Sequence, residues 1–308
     1  MARALIAIVG PTAAGKSALA LRLAAERPAE IVSCDSLQVY RGLDIGSAKP
    51  SAEEQRAVPH HLIDLVDPDG SFSAADWAAA AARAIEGIFS RGRLPLVVGG
   101  TGLYLRALLE GLFDGPSRRP ELRARLEALA ERRGDARLHR LLARVDPAAA
   151  GRIPVRDRVR VVRALEVYSA TGRPISEQQP AARPAIREVE VLTLGLSPAR
   201  ERLREAVERR TAAMLEAGLV AEVVGLLARG YGPELRPLQA IGYREAVAVA
   251  QGALGLEEAR RRIVTATLRY AKRQRTWFRH QARVSWCGSP QEALARAREW
   301  LAEVAPSH

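Results

Sequence analysis

Eight residues near the start of the chain constrain its fold more than any others. Gly10-Pro11-Thr12-Ala13-Ala14-Gly15-Lys16-Ser17 satisfies the pattern G-x-x-x-x-G-K-[ST] at every fixed position. Ahead of it runs Ala4 to Val9, a continuous apolar stretch of strand length. Behind it, from Lys16 to about Glu26, Leu19, Leu21 and Leu23 stand among alanines as in a helix. A buried strand, a glycine loop and a helix in that order aim backbone N–H groups and the positive helix end at phosphate oxygens. Lys16 adds a mobile charge, and Ser17 can hold a phosphate-bound Mg²⁺. The pattern arises by chance in roughly one chain in a hundred of this length, and this placement makes a plain Gly-rich turn rarer still. A di- or triphosphate site on an α/β sheet is the expectation.

Downstream segments extend that sheet. Glu30 to Ser33 reads as a second strand ending at Cys34-Asp35-Ser36, Ala74 to about Ser90 as a helix, and Leu94 to Val98 as a third strand ending at Gly99-Gly100-Thr101. Strands alternating with helices imply a parallel sheet, whose ligands sit at the carboxyl ends of the strands. Gly10, Asp35 and Thr101 each follow such an end, so three separate signals converge on one edge. From Gly115-Pro116 the pattern turns helical: about Pro120–Arg133, Leu138–Val145 and Arg158–Thr171, then a looser stretch to Arg187 holding Pro174, Pro180 and Pro184. Val189 to Leu194 alternates like a strand returning to the sheet. Helices follow at about 198–217, 219–229, 239–252 and 256–281, then a short strand Val284–Trp286 and a last helix near 290–303. The expected fold is α/β: a P-loop parallel-sheet core, residues 1–115 plus 188–308, with a mostly helical insertion at 116–187.

Charge separates these regions. Residues 1–115 are net −2, whereas 116–194 and 195–308 are each net +7. An arginine-rich genome explains why only Lys16, Lys49 and Lys272 are lysines, but not this segregation, which points to a polyanionic partner for the later parts. With 48% apolar and 27% charged residues the chain is not a disordered one. No apolar run approaches the roughly 18 residues that cross a bilayer, and two cysteines cannot build a disulfide framework or a four-cysteine zinc site. A cytoplasmic protein without membrane association, acting as a monomer, is expected.

A phosphate loop serves many reactions. Kinases and hydrolases of this class place a metal-holding carboxylate at another strand end, yet Gly99-Gly100-Thr101 carries none, and Leu62 to Asp67 is a weaker strand candidate. Asp35 lies where it could hold Mg²⁺ through water or act as a general base, or serve only to cap a turn. The adjacent His60 and His61 do not converge on one ion, and Cys34 reads as a small buried filler.

At this point the residues resemble a family, the tRNA dimethylallyltransferases or tRNA isopentenyltransferases. The resemblance is carried by residues 10–17, by Asp35-Ser36-Leu37-Gln38-Val39-Tyr40-Arg41 with Asp44-Ile45-Gly46 and Ala48-Lys49-Pro50, and by Val58-Pro59-His60-His61-Leu62-Ile63-Asp64. It continues through Val98-Gly99-Gly100-Thr101-Gly102-Leu103-Tyr104, Arg163-Ala164-Leu165-Glu166-Val167, Ile241-Gly242-Tyr243 and Ala271-Lys272-Arg273-Gln274-Arg275-Thr276-Trp277-Phe278-Arg279. The blocks run in family order over nearly the whole chain.

The resemblance implies transfer of a dimethylallyl group from dimethylallyl diphosphate to N6 of the adenosine 3′ of the tRNA anticodon (A37), with Mg²⁺ assisting and diphosphate leaving. It makes Asp35 the group that takes the amino proton and Thr101 an orienting residue. It assigns the diphosphate to Gly10, Pro11, Thr12, Ala13, Ala14, Gly15, Lys16 and Ser17, with Ser17 on the metal. The anticodon stem-loop would meet Asp35, Ser36, Leu37, Gln38, Thr101, Arg123, Val159, Arg160, Val161, Val162, Arg163, Ala240, Ile241, Gly242, Tyr243, Arg244 and Glu245. The adenosine would flip out of the loop stack. Two departures stand out: Leu268 occupies a usual arginine position, with Arg269 next to it, and Val155-Arg156 replaces a common Pro-Asn pair. The alternatives are prenyl transfer to free adenine nucleotides, or a P-loop nucleotide kinase or RNA-docking module.

Overall fold

The computed structural model describes residues 3–113, 115–116, 119–178 and 183–304; Pro180 of the loose stretch lies outside them. They form two compact units: residues up to Leu109 with those from Ala185 onward, and Glu110–Pro184.

The first unit is an α/β layer structure on a six-stranded, all-parallel sheet. Its strands are β1 (Ala4–Val9), β2 (Ala29–Cys34), β3 (His60–His61), β4 (Leu94–Gly99), β5 (Glu190–Leu196) and β6 (Ser285–Cys287), in the spatial order β3-β2-β4-β1-β5-β6. β1 lies at the centre and every residue in it is buried, which is why it reads as an unbroken apolar run. Alternate side chains Ala4, Ile6 and Ile8 pack in one cluster with Leu19, Ala20 and Leu23 of α1 (Lys16–Glu26) and with Ala293, Leu294, Ala297 and Leu301 near the C-terminus. A fully buried Ile or Leu of this kind stabilises the fold by about 2 kcal/mol. Helix α2 (Ala52–Ala57) precedes β3. Helix α3 (Ala74–Ser90) packs on β2 and β4. It starts at a reciprocal capping box in which Ser73 and Asp76 each accept the other's backbone N–H. Trp77 of α3 is fully buried and donates its indole N–H to the Ser33 carbonyl (2.9 Å). Helix α4 (Gly102–Leu109) starts directly after Thr101.

The second unit is helical: α5 (Pro120–Arg133), α6 (Asp135–Val145), α7 (Pro147–Arg152), α8 (Arg158–Thr171) and α9 (Ile175–Gln178). Leu138 and Leu142 of α6 meet Val161, Val162 and Ala164 of α8 in its core. Asp157 caps α8 by accepting the Arg160 N–H (3.1 Å).

The chain then returns to the first unit through β5, followed by α10 (Arg200–Glu216), α11 (Leu219–Ala228), a 3₁₀ turn at Arg236–Gln239, α12 (Tyr243–Ala250), α13 (Leu256–Gln281), β6 and α14 (Pro290–Val304). The helix expected over 239–252 is therefore shorter: Gly242 takes a positive φ of 92° and separates the 3₁₀ turn from α12. β3 has only two residues and no periodicity to betray it. The segment Leu62 to Asp67 is not a strand. It holds a single bridge, from Val66 to Tyr40, and Asp64 is paired to the buried Lys49 ammonium. Among the described residues no single helix is long and apolar enough to cross a membrane.

Candidate active site at the strand ends

The phosphate loop turns sharply off β1. Gly10 has φ +137°, and a Cβ there would stand 2.5 Å from the Leu196 carbonyl oxygen, so only glycine lets β5 pass so closely. Ala13 (φ 65°) and Gly15 (φ 89°) also take left-handed conformations, which turn successive backbone N–H groups toward the concave side. Lys16 folds back and donates to the Pro11 carbonyl (2.8 Å). Ser17 is exposed at the first turn of α1.

β2 and β4 bring up Asp35 and Thr101. Thr101 donates its backbone N–H to the Cys34 carbonyl (3.2 Å), and its Oγ1 accepts the Ser36 N–H (3.2 Å). Asp35 Oδ1 accepts the Leu37 N–H (2.8 Å). Among the described residues its other oxygen carries no hydrogen bond. The carboxylate is thus both oriented by the turn and half available. Cys34 beside it is buried, and burial pushes its thiol well above the ordinary range, so it offers no nucleophile.

Cations gather around this carboxylate. Burial first and the neighbouring Arg210 cation second push the Lys16 ammonium down from 10.5 to about 8, against the pull of Asp35. Arg210, on α10, is itself lowered by burial and drawn back by Asp35. Two half-buried cations near one carboxylate make a site short of negative charge, the electrostatic state that a diphosphate relieves. The sequence reading missed Arg210. The available signal was helical phase, since Arg210 follows buried Val207 by three and precedes buried Thr211, whereas adjacent Arg209 is exposed and paired with Glu205. Tyr270 of α13 also lies near the carboxylate: burial first and then the Asp35 charge push its phenol up to about 12.

The residues expected to meet tRNA divide by burial. Ser36, Leu37 and Gln38 are half-buried, but the Gln38 amide is engaged within the protein, accepting from Ser33 Oγ (2.7 Å) and donating to the Ala48 carbonyl (3.0 Å). In the helical unit Val159 is 71% exposed and Arg160 is exposed beside it, Arg163 is half-buried, and Val161 and Val162 lie in the core. Arg123 grips the buried Glu166 carboxylate through Nε (3.2 Å) and Nη2 (2.6 Å). Of 240–245, Arg244 is exposed and Ala240 and Ile241 are half-buried, whereas Tyr243 donates its hydroxyl to Glu222 (2.8 Å) and Glu245 accepts the Gly242 N–H (2.8 Å). On α13, Lys272, Arg273 and Arg279 are exposed while Phe278 is buried. Leu268 is half-buried and Arg269 exposed.

Among the described residues no three His, Cys, Asp or Glu side chains gather as a cage. His60 and His61 have other partners, the Val58 carbonyl (2.7 Å) and Glu30 (2.6 Å), and Arg91 chiefly, then His61, hold the Glu30 carboxyl at about 2. The Ser17 hydroxyl and the second Asp35 oxygen are hard donors and few. That fits Mg²⁺, which keeps its waters and takes most protein-side binding from one or two groups plus phosphate oxygens.

Residues 38–281 match the family model described as IPP transferase. The chain is 50% identical over 286 residues to the tRNA dimethylallyltransferase of Geobacter sulfurreducens, covering 93% of this chain and 92% of that one. It is 51% identical over 299 residues to that of Anaeromyxobacter dehalogenans, covering 96% and 99%. Among solved structures it is similar to the tRNA isopentenylpyrophosphate transferase of Bacillus halodurans (40% identity, TM-score 0.70, 98% of this chain and 96% of that one). It is also similar to a eukaryotic dimethylallyltransferase acting on tRNA (27% identity, TM-score 0.77, 98% and 80%).

Proposed function

This chain belongs to the IPP transferase family and is a transferase, and we propose that it moves the dimethylallyl group of dimethylallyl diphosphate onto N6 of the adenosine 3′ of the anticodon (A37) in tRNA. The observation that carries this reading is the gathering of the phosphate loop, Asp35 and Thr101 at adjacent strand ends of one sheet.

The chemistry needs two things at once. The amino nitrogen of adenine attacks C1 of the dimethylallyl group while the C–O bond to the diphosphate breaks and its electron pair leaves with the diphosphate. As the C–N bond forms, N6 sheds a proton, and Asp35, whose second oxygen carries no hydrogen bond among the described residues, takes it. Thr101 orients the amino group. Charge growing on the leaving diphosphate is stabilised by the loop N–H groups, Lys16 and Arg210. Mg²⁺, held by Ser17, would supply further charge neutralisation on the diphosphate. The phosphate loop here serves a leaving group and not a transferred phosphoryl. In the helical unit 110–184, Val159 and Arg160 offer an exposed apolar and cationic face for single-stranded loop bases and phosphates. Arg244, in the first unit, is a separate exposed cation. The reading places the enzyme in the cytoplasm with its tRNA, as a monomer.

Incubation with tRNA, Mg²⁺ and either labelled ATP or labelled dimethylallyl diphosphate tests it. Label reaches the RNA only from the isoprenoid donor. Label from ATP instead, or label only on free adenine nucleotides, would sink the assignment.

A further inference from the structure

The proposed reaction requires the diphosphate cradle and the edge that activates the amino group to stay at one separation, and a single side chain spans them. Gln274 of α13 is only 6% exposed. Its Oε1 accepts the Thr12 N–H (3.0 Å), and its Nε2 donates to the Gly100 carbonyl (3.0 Å). A backbone N–H only donates and a carbonyl only accepts, so these partners leave the amide one orientation. Thr12 sits inside the phosphate loop. Gly100 immediately precedes Thr101, whose hydroxyl receives the Ser36 N–H beside Asp35.

Space around the amide is equally specified. A Cβ on Gly100 would stand 2.1 Å from Nε2, so the glycine is the cavity into which the amide fits. One turn earlier on α13, Tyr270 lies beside Gln274 and feels the Asp35 charge. A glutamine serving only the core would be satisfied by groups of its own element or by any nearby carbonyl. Both partners of this one belong instead to the two loops that face the chemistry.

We propose that Gln274 is a positioning residue that sets the distance between the phosphate loop and the Asp35–Thr101 edge, an inference that rests on the transferase reading above. It reaches neither substrate through its amide, whose oxygen and nitrogen are both taken by backbone. Its effect falls on the rate of transfer more than on capture of RNA.

Three variants test this, each assayed for kcat, for KM of dimethylallyl diphosphate, for anticodon stem-loop affinity by filter binding and for melting temperature. Gln274→Met keeps the shape and removes both hydrogen bonds. It is expected to lower kcat roughly a hundred-fold and raise the donor KM, because misplacement by about 1 Å has that effect. Its stem-loop affinity should stay within about twofold of the parent. Gln274→Glu keeps an acceptor for Thr12 and loses the donor to Gly100, so it recovers donor KM but not kcat. Gly100→Ala pushes the amide from the opposite side and should reproduce the kcat loss. It also decides the matter if Gln274→Met fails to fold. A kcat within about threefold of the parent in the folded Gln274 variants, or a loss confined to stem-loop affinity, overturns the inference. A parent protein that puts no label on tRNA overturns the transferase reading instead, so the two failures are distinct.

Discussion

The strand-end edge and the helical unit hold their polar groups by different means. At the edge, main chain does the holding. The Ser36, Leu37 and Thr101 N–H groups and the Cys34 carbonyl pin Thr101 and Asp35, and the loop 10–17 is shaped by its own φ angles. In the unit 110–184 the candidate RNA contacts are held by other side chains: Arg123 by Glu166, Arg160 by Asp157 (2.7 Å). Backbone fixing suits chemistry, where tenths of an ångström decide a rate. Side-chain pairing suits a grip that must exchange one anion for another. A substitution at the edge should therefore alter turnover and leave RNA affinity alone, and one on the helices should do the reverse.

The largest test of that division is Asp35→Ala. With no group to take the N6 proton, single-turnover transfer should fall about a thousand-fold or more. Filter binding of tRNA should move by less than about threefold, because a single half-buried carboxylate contributes little to a polyanion interface. A variant that transfers at the parental rate would remove Asp35 from the chemistry. One that loses RNA binding to the same degree would erase the distinction between the two regions.

How much of this was legible in the sequence follows from the same contrast. Backbone-built features leave local signatures. Glycines at 10 and 15 and the apolar run of β1 are contiguous, so the loop, the parallel sheet and the convergence of Gly10, Asp35 and Thr101 could be read directly. Side chains that arrive from distant helices leave little: Arg210 reaches the edge from α10, and only its helical phase distinguishes it from the many exposed arginines, whereas Gln274 of α13 stands in a block that carries the resemblance but has nothing local to show that it joins the two loops. β3 was invisible because two residues have no period, and the tract 159–163 named five residues where two, Val161 and Val162, are core.

Arg123 sharpens the comparison next. Glu166 is 1% exposed and Arg123 about a quarter exposed, so Arg123→Gln leaves a buried carboxylate only its longer contact to Arg163 (3.9 Å). The expected loss is about 3 kcal/mol of stability, read as a lower melting temperature or denaturant midpoint. Arg123→Met with Glu166→Met together should restore most of it, since an apolar pair of similar volume replaces the ion pair. If Arg123→Gln leaves stability untouched but weakens tRNA binding, Arg123 works as an RNA contact and the structural pairing is incidental.

Lys16 tests the edge through pH. Its free-state pKa of about 8 lies below the ordinary lysine value, chiefly through burial and then Arg210. A bound diphosphate favours the charged form and raises that pKa, so binding above about pH 8 takes up a proton. Donor affinity should accordingly be flat below pH 8 with respect to this group and fall by up to about tenfold per pH unit above it. Lys16→Met should bind weakly at every pH and lose the break. Arg210→Gln should move the break upward. Calorimetry in buffers of different ionisation enthalpy reads the proton directly, and zero uptake at pH 9 would contradict the assignment.

The smallest effect belongs to Arg160 and concerns salt. Its side chain is two-thirds exposed and its partner Asp157 is the cap of α8. An exposed pair of this kind contributes at most about 1 kcal/mol, so a phosphate can displace the carboxylate at little expense. Arg160→Ala should reduce the slope of log affinity against log salt by about one. Asp157→Asn should do the opposite. Asparagine still caps the helix, but the competing charge is gone, so tRNA should bind a few-fold tighter at constant kcat. The donor KM should ignore both substitutions. A matching salt response in donor KM would mean that helices and edge share one electrostatic task, whereas its absence leaves the grip on RNA and the handling of diphosphate as separable properties of the same chain.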